Sequence, residues 1–349
     1  MTKIDLKDRK IISALDMNAR MPLTELAKKV GLSRQVVEYR IKRMKEEGVI
    51  LGAKAVFDSA AVNYKWYRTA FRMLNVKKED KLSFIEYLKN HPFVFWLGEV
   101  GGNWDIVVNF ICEDNFKFNA LFEEITNKYG KLICDYEILI YINVYDMERS
   151  YILTANNTEK NVTNKDVNKT VNQSGMSETG IRKEFFHEMK LNKDFFLDPL
   201  DKEIIKHINK DANISNIELG QKLNVTGNTI KNRIDEMKKA KLLLGFRLFV
   251  NPSSLGFSSH MLFLGVNNIS IEKEKELVSY LKAIPDITFI VKHIGKWRIG
   301  MEIETKSELK FYELFVDIRG RFSDIITGFE SFPLFKDHVV NYFPEGCLK

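Results

Sequence analysis

The sequence predicts an α+β fold built twice over, and two observations carry that reading. Offset by 193 residues, the chain matches itself without a gap from about Asp8 to Glu137. Asp8, Ile11 and Ile12 fall on Asp201, Ile204 and Ile205; Arg40, Ile41 and Met44 fall on Arg233, Ile234 and Met237; Gly102 and Trp104 fall on Gly295 and Trp297. So long an offset is no solenoid period, and the repeated unit is a whole multi-element module. The second observation is a change of hydrophobic period inside each module, helical in its first part and mixed strand and helix in its second.

Residues Leu6–Gly48 carry apolar positions at helical spacing with short breaks: Ile11, Ile12 and Leu15, then Leu23, Leu26, Ala27 and Val30, then Val36, Val37, Ile41 and Met44. Three short helices are expected, followed by an extended Val49–Phe57. From Trp66 the order becomes strand, helix, strand, strand, helix, strand, ending in the run from Ile133 to Val144. That βαββαβ order is the ferredoxin-like plan. The second copy repeats it from Met261 to about Asn341. The expected division is a winged helix-turn-helix at 1–57, a ferredoxin-like domain at 62–150, a linker at 151–197, a second winged helix-turn-helix at 198–251 and a second ferredoxin-like domain at 256–345.

Within the linker, Thr154–Gly180 has almost no large apolar residues and is rich in Asn, Thr and Lys, so it cannot bury enough surface to order itself. Ile181–Leu197 regains Phe185, Phe186, Met189, Phe195 and Phe196 and reads as a short amphipathic helix docked on a neighbouring domain. The net charge of +6 is only mildly basic. Cys112, Cys134 and Cys347 lack metal-ligand spacing and read as ordinary thiols in a reducing compartment. The charged start MTKIDLKDRK and the lack of an apolar run near ~18 residues point to a cytoplasmic chain.

The chemistry concentrates in the first head. Leu23–Val30 is a short amphipathic helix, Gly31 and Leu32 form a tight turn, and Ser33 is placed to cap the next helix. Val37 and Ile41 anchor that second helix, while its other face presents polar groups. Candidate DNA contacts are Ser33, Arg34, Gln35, Glu38, Tyr39, Arg40, Lys42 and Arg43. Arg and Gln at the start of a recognition helix reach base edges, and Lys42, Arg43 and Lys45 suit phosphates. Leu6–Gly52 holds eleven Lys/Arg against six Asp/Glu, so the basic charge gathers here.

With these residues the chain resembles the Lrp/AsnC, or feast/famine, transcriptional regulators. The resemblance runs through LDMNARMPLTELAKKVGLSRQVVEYRIKRMKEEGVI and the following βαββαβ domain, and GGNWDIVV is similar to the family's Gly-x-(Tyr/Trp)-Asp loop. It implies binding of double-stranded DNA, pairing through the ferredoxin-like sheets, homo-oligomers, and an amino-acid-like effector near that loop. Gly101, Gly102, Asn103, Trp104 and Asp105 are the effector-loop candidates of the first copy; Gly295, Lys296, Trp297 and Arg298 are those of the second. No cofactor and no metal are expected.

The copies differ where function would sit. Thr226 stands for Ser33, Gly227 for Arg34, Asn228 for Gln35, and Asp235 and Glu236 for Lys42 and Arg43. The second head is expected to bind DNA more weakly or to read other bases, through Thr226, Asn228, Lys231, Asn232 and Arg233. Asp105 becomes Arg298, so an ammonium-binding carboxylate in one loop faces a carboxylate-binding guanidinium in the other. The reading is a two-headed, asymmetric regulator acting as an intramolecular pseudo-dimer and not an enzyme. The alternatives are a weakly specific architectural DNA-binding protein and an enzyme resembling the sirohaem decarboxylases. For the enzyme His91, His260 and His293 form no constellation and read as surface or satisfied histidines.

Overall fold

The structure, a computed structural model, describes residues 4–74, 77–154, 182–267 and 269–349. Most of the linker expected to be flexible, 155–181, lies outside the described residues.

Each head is three helices. In the first, α1 (Leu6–Asp16) begins with a capping box between Asp5 and Asp8, α2 (Leu23–Val30) ends on Gly31, and α3 (Arg34–Glu46) begins at Ser33. Asn224 (φ 55°) replaces left-handed Gly31 (φ 69°) in the second head, and Lys241 (φ 59°) replaces left-handed Gly48 (φ 68°). Asparagine tolerates that conformation, whereas for lysine it costs of the order of 1 kcal/mol. The strand after α3, β1 (Ile50–Phe57), pairs with its counterpart β7 (Leu243–Val250) from Ile50↔Val250 to Phe57↔Leu243. Thus the two heads share one two-stranded wing.

The first ferredoxin-like domain is β2 (Lys65–Met73), α4 (Lys78–Lys89), β3 (Val94–Val100), β4 (Ile106–Cys112), α5 (Asn115–Tyr129) and β5 (Ile133–Met147). A short helix α6 (Tyr151–Thr154) and strand β6 (Glu184–His187) lead to the second head: α7 (Pro199–Lys210), α8 (Asn216–Lys222) and α9 (Gly227–Lys239). The second domain follows as β8 (Ser258–Val266), α10 (Ile271–Ala283), β9 (Ile287–Ile294), β10 (Ile299–Thr305), α11 (Glu308–Arg321) and β11 (Ile326–Val340).

The two sheets join edge to edge. β11 pairs with β3 and β5 pairs with β9, while β2–β5 and β8–β11 hold within the copies. The ring β2-β4-β3-β11-β8-β10-β9-β5 closes on itself with every pairing antiparallel, an eight-stranded barrel. Half a turn around it carries β2 onto β8 and β3 onto β9, so the pseudo-dyad of the duplication runs along the barrel axis. Helices cover the outside: Phe84, Ile85 and Leu88 pack on Val108 and Phe110, and Leu277 and Leu281 on Ile290 and Ile299. The heads also cross over. Leu248, Val250 and Phe257 complete the core of the first head, and Ala55, Phe57 and Trp66 join Ile204 and Ile208 of the second.

The stretch expected to be an amphipathic helix is a strand instead. β6 runs antiparallel to the end of β5, from Val144↔His187 to Met147↔Glu184. Its apolar residues alternate: His187 is fully buried, while Phe186 stacks on Tyr145 at 4.9 Å from the outer side. Buried Arg182 fixes its start by donating to the carbonyls of Ile284 (2.6 Å) and Ile287 (2.9 Å). The free edge of β5 supplies hydrogen-bond partners that an isolated helix could not use.

Candidate nucleic-acid interface

Helix α3 sits with its N-terminal half open to solvent. Arg34, Gln35, Glu38, Tyr39, Lys42 and Lys45 are exposed, Tyr39 by 66%, and Val37 and Met44 are fully buried against α1 and α2. Ser33 caps the helix by accepting the Val36 N–H (3.3 Å). Polar exposed groups at the N-terminal end of a helix anchored from behind are what a major groove can accept.

Two arginines of the expected set turn inward instead. Arg40 donates to Asp5 and Asp8, each at 2.8 Å, and Arg43 reaches Asp8 at 2.6 Å. Asp8 is completely buried, so both guanidinium groups are needed to keep its charge in the head. Asp8 and Asp5 hold the Arg40 guanidinium further above its ordinary range, and the Asp8 N–H, then Arg40, pull the Asp5 carboxyl down against the effect of its burial. Arg233 repeats the role in the second head, pairing with Asp198 at 2.8 Å and Asp201 at 3.7 Å.

On α9, Thr226 caps by accepting the Thr229 N–H (3.1 Å), and Asn228, Lys231 and Asn232 are exposed. Gly227 opens the helix where the first head has Arg34. Asp235 lies 3.9 Å from Lys238 and Glu236 3.8 Å from Arg233, so the carboxylates that replace Lys42 and Arg43 are spent on neighbours. The heads touch directly: Arg20 donates to the Ala212 carbonyl (2.5 Å) and lies over the Phe246 ring. With the shared wing, this contact fixes the spacing of α3 and α9.

The two glycine-tryptophan loops meet at the far end of the barrel. Trp104 and Trp297 are nearly buried and pack with Leu139, Met261, Phe263 and Phe332. Each loop reaches into the other copy: Asn103 donates to Glu330 (2.9 Å), and Lys296 lies 3.7 Å from Glu137. Gly102 takes a left-handed turn (φ 79°) that keeps this approach open. The tips form one composite surface instead of two separate pockets.

The model of a winged helix-turn-helix DNA-binding family matches residues 4–50 and again residues 197–243. The HTH-type transcriptional regulator FL11 of Pyrococcus furiosus is 31% identical over 116 residues, covering 33% of this chain and 76% of that protein. The HTH-type transcriptional regulator LrpA of Pyrococcus horikoshii is 30% identical over 129 residues, covering 37% of this chain and 88% of its own length. The chain belongs to the Lrp/AsnC family of transcriptional regulators. Among solved structures, the siroheme decarboxylase NirDL aligns over 99% of this chain and 96% of its own with a TM-score of 0.53, at 12% identity, a likeness of fold alone.

In the effector-loop candidates of this Lrp/AsnC chain the two unlike charged side chains have neighbours within the fold. Asp105 accepts the Met73 N–H through Oδ2 at 2.8 Å. Arg298 is held by Glu274 through Nε (3.0 Å) and a terminal nitrogen (2.8 Å). Both side chains brace their loops. His260 meets Glu308 through Nε2 (3.1 Å) while its buried Nδ1 has no partner among the described residues, and the half-buried His91 accepts the Phe93 N–H at 3.3 Å. His293 departs from expectation: it is fully buried, neither ring nitrogen has a partner among the described residues, and burial lowers its basicity.

Sequence reasoning missed a buried ionic network between the barrel and the first head. Arg149 donates to Asp16 from its backbone (2.6 Å) and its guanidinium (3.1 Å), and also reaches Glu304 (3.4 Å), which takes the Tyr151 hydroxyl. Arg247 pairs with Asp146 and approaches Asp16 at 3.5 Å, and Tyr342 donates to Asp146 at 2.9 Å. The only signal in the sequence was charge inside apolar strands, such as Asp146 in the run INVYDM and Glu302 and Glu304 in MEIET.

Proposed function

We propose that this chain is a sequence-specific regulator of transcription that reads duplex DNA with two unlike heads held in one molecule. The observation that carries the reading is the pair of exposed recognition-helix ends, on α3 and α9, fixed relative to each other by the shared wing and the Arg20–Ala212 contact. Arg34, Gln35 and Tyr39 are the base-reading candidates of the first head, with Lys42 and Lys45 on phosphates. Asn228, Lys231 and Asn232 serve the second. Because these sets differ, the operator is asymmetric, with half-sites about 10 base pairs apart or a multiple of that. The chain works in the cytoplasm, assembles further through copies of itself and performs no catalysis. Among the described residues no helix is long and apolar enough to cross a membrane.

The whole-length likeness to a siroheme decarboxylase raises the enzyme as a second reading. The regulator reading is preferred because the relatives that match by sequence are HTH-type transcriptional regulators, whereas this likeness is one of fold alone. Selection of duplexes from a random library by the full chain tests the proposal. An asymmetric consensus whose affinity falls with salt supports it, and the absence of salt-sensitive duplex binding overturns it.

A further inference from the structure

The outer rim of the second head carries an aliphatic side chain where the first head carries polar ones. Helix α8 is capped by Ser215, which accepts the Glu218 N–H (3.1 Å), and is anchored from behind by buried Leu219 and Gly220. Ile217, in its first turn, is 70% exposed and joins none of the hydrophobic cores formed by the described residues. Single exposed apolar residues are ordinary on protein surfaces, so exposure alone assigns no role. The place of Ile217 in the head does.

Two glycines bring Ile217 to the start of the recognition helix. A Cβ at Gly220 would stand 2.7 Å from the Val225 carbonyl oxygen and 3.1 Å from the Gly227 nitrogen, so its absence lets the turn and the first residue of α9 close down on α8. A Cβ at Gly227 would in turn meet Cα and Cγ1 of Ile217, each at 3.4 Å. Ile217 therefore lies against the first turn of α9, the turn that presents exposed Asn228. Across the 193-residue offset the mates of Ile217, Gly220 and Gly227 are Thr24, Ala27 and Arg34. The first head thus offers a hydroxyl and a guanidinium at this rim, and the second offers an aliphatic branch beside bare backbone.

That exchange changes which base edge fits. An arginine entering the major groove suits the paired acceptors of guanine, and the apolar group that the groove displays is the C5-methyl of thymine. We infer that Ile217 is a specificity-determining residue of the second head, reading a thymine methyl in the half-site that α9 addresses. The inference rests on the proposed DNA-reading function and gives its asymmetry a chemical form: a guanine under Arg34 in one half-site, a thymine under Ile217 in the other.

The test uses the full chain and a duplex that it selects from a random library. Each thymine is replaced in turn by uracil, which lacks only the C5-methyl, and affinity is read by fluorescence anisotropy at fixed salt. At one thymine, uracil is expected to weaken binding about fourfold, the worth of one buried methyl group. Ile217→Ser binds the thymine and uracil duplexes at that position alike, whereas Ile217→Val keeps the difference. At every other thymine the effect of uracil is the same in Ile217→Ser as in the parent chain. A melting curve of each variant verifies that the exposed substitution leaves the fold intact. Indifference to uracil at every position overturns the inference, as does a set of uracil effects that all persist in Ile217→Ser. A uniform loss of affinity in Ile217→Ser, with discrimination kept, would put the side chain on the sugar-phosphate backbone and overturns it as well. Absence of salt-sensitive duplex binding by the parent chain overturns the proposed function and this inference with it. Duplex binding without methyl reading overturns this inference alone.

Discussion

Arg34 and Arg40 lie six positions apart on one helix and do different work. Arg34→Ala removes an exposed group proposed to reach the groove, so operator affinity is expected to fall by about 1–3 kcal/mol while thermal stability holds. Arg40→Ala strips one of two counter-charges from buried Asp8 and lowers the stability of the first head by about 3 kcal/mol, read by calorimetry. The sequence held a hint of that division. Arg40 follows Val37 by three and precedes Met44 by four, which places it beside the buried stripe. What spacing could not show was the carboxylate on α1 waiting there. Glu302 gives a residue-scale test by pH. Burial first, then the charges of Glu304 and Asp337, push its carboxyl up to about 8 from 4.5. The folded chain therefore holds a proton that the unfolded chain has released between those values, and stability falls as pH rises through that window. Glu302→Gln removes the penalty, so its melting temperature relative to wild type is expected to climb from pH 5 to pH 8.5. A constant difference would refute the burial account.

At the scale of elements, the helices and strands inside each copy were legible because each buries one face and shows the matching period. The three head helices, the βαββαβ order and the Ser33 cap all lie where that period puts them. The short strand β6 was not legible, since a few alternating residues fit either period and only the open edge of β5 decides between them. The recognition helices carry their own prediction. Lys42→Ala weakens binding to every duplex and lowers the salt slope by about one phosphate contact. Gly227→Arg restores the residue of the first head at a half-buried helix start, where an added Cβ meets Ile217 at 3.4 Å, and is expected to raise affinity for duplex in a mobility-shift titration. Packing separates the copies as well. A side chain at Gly220 would stand 2.7 Å from the Val225 carbonyl oxygen, whereas its mate is Ala27. Gly220→Ala should therefore destabilise the second head by about 1–3 kcal/mol, and Ala27→Gly the first by about 1 kcal/mol or less, compared by thermal melts.

For the whole molecule, duplication converts a dimer seam into an intramolecular one. The expectation that two sheets would come together was met in an unforeseen way, by edge-to-edge strand pairing and barrel closure, because internal alternation cannot say which edges find each other. Both seams, β3–β11 and β5–β9, and the crossed head cores persist if the chain is cut between 155 and 181. Cleavage there should leave the halves sedimenting together as a 1:1 pair, and separated halves would contradict the shared cores. The charged residues of the barrel interior and the network from Asp16 to Glu304 could not be read ahead, since they depend on strands of different copies converging on one axis. The measurement that bears most directly on the two-headed account is hydroxyl-radical footprinting of the full chain, titrated stoichiometrically on a selected duplex. Two patches of unequal strength for each chain bound, about one helical turn or a multiple apart, are the predicted result. Equal patches that need two chains would contradict it.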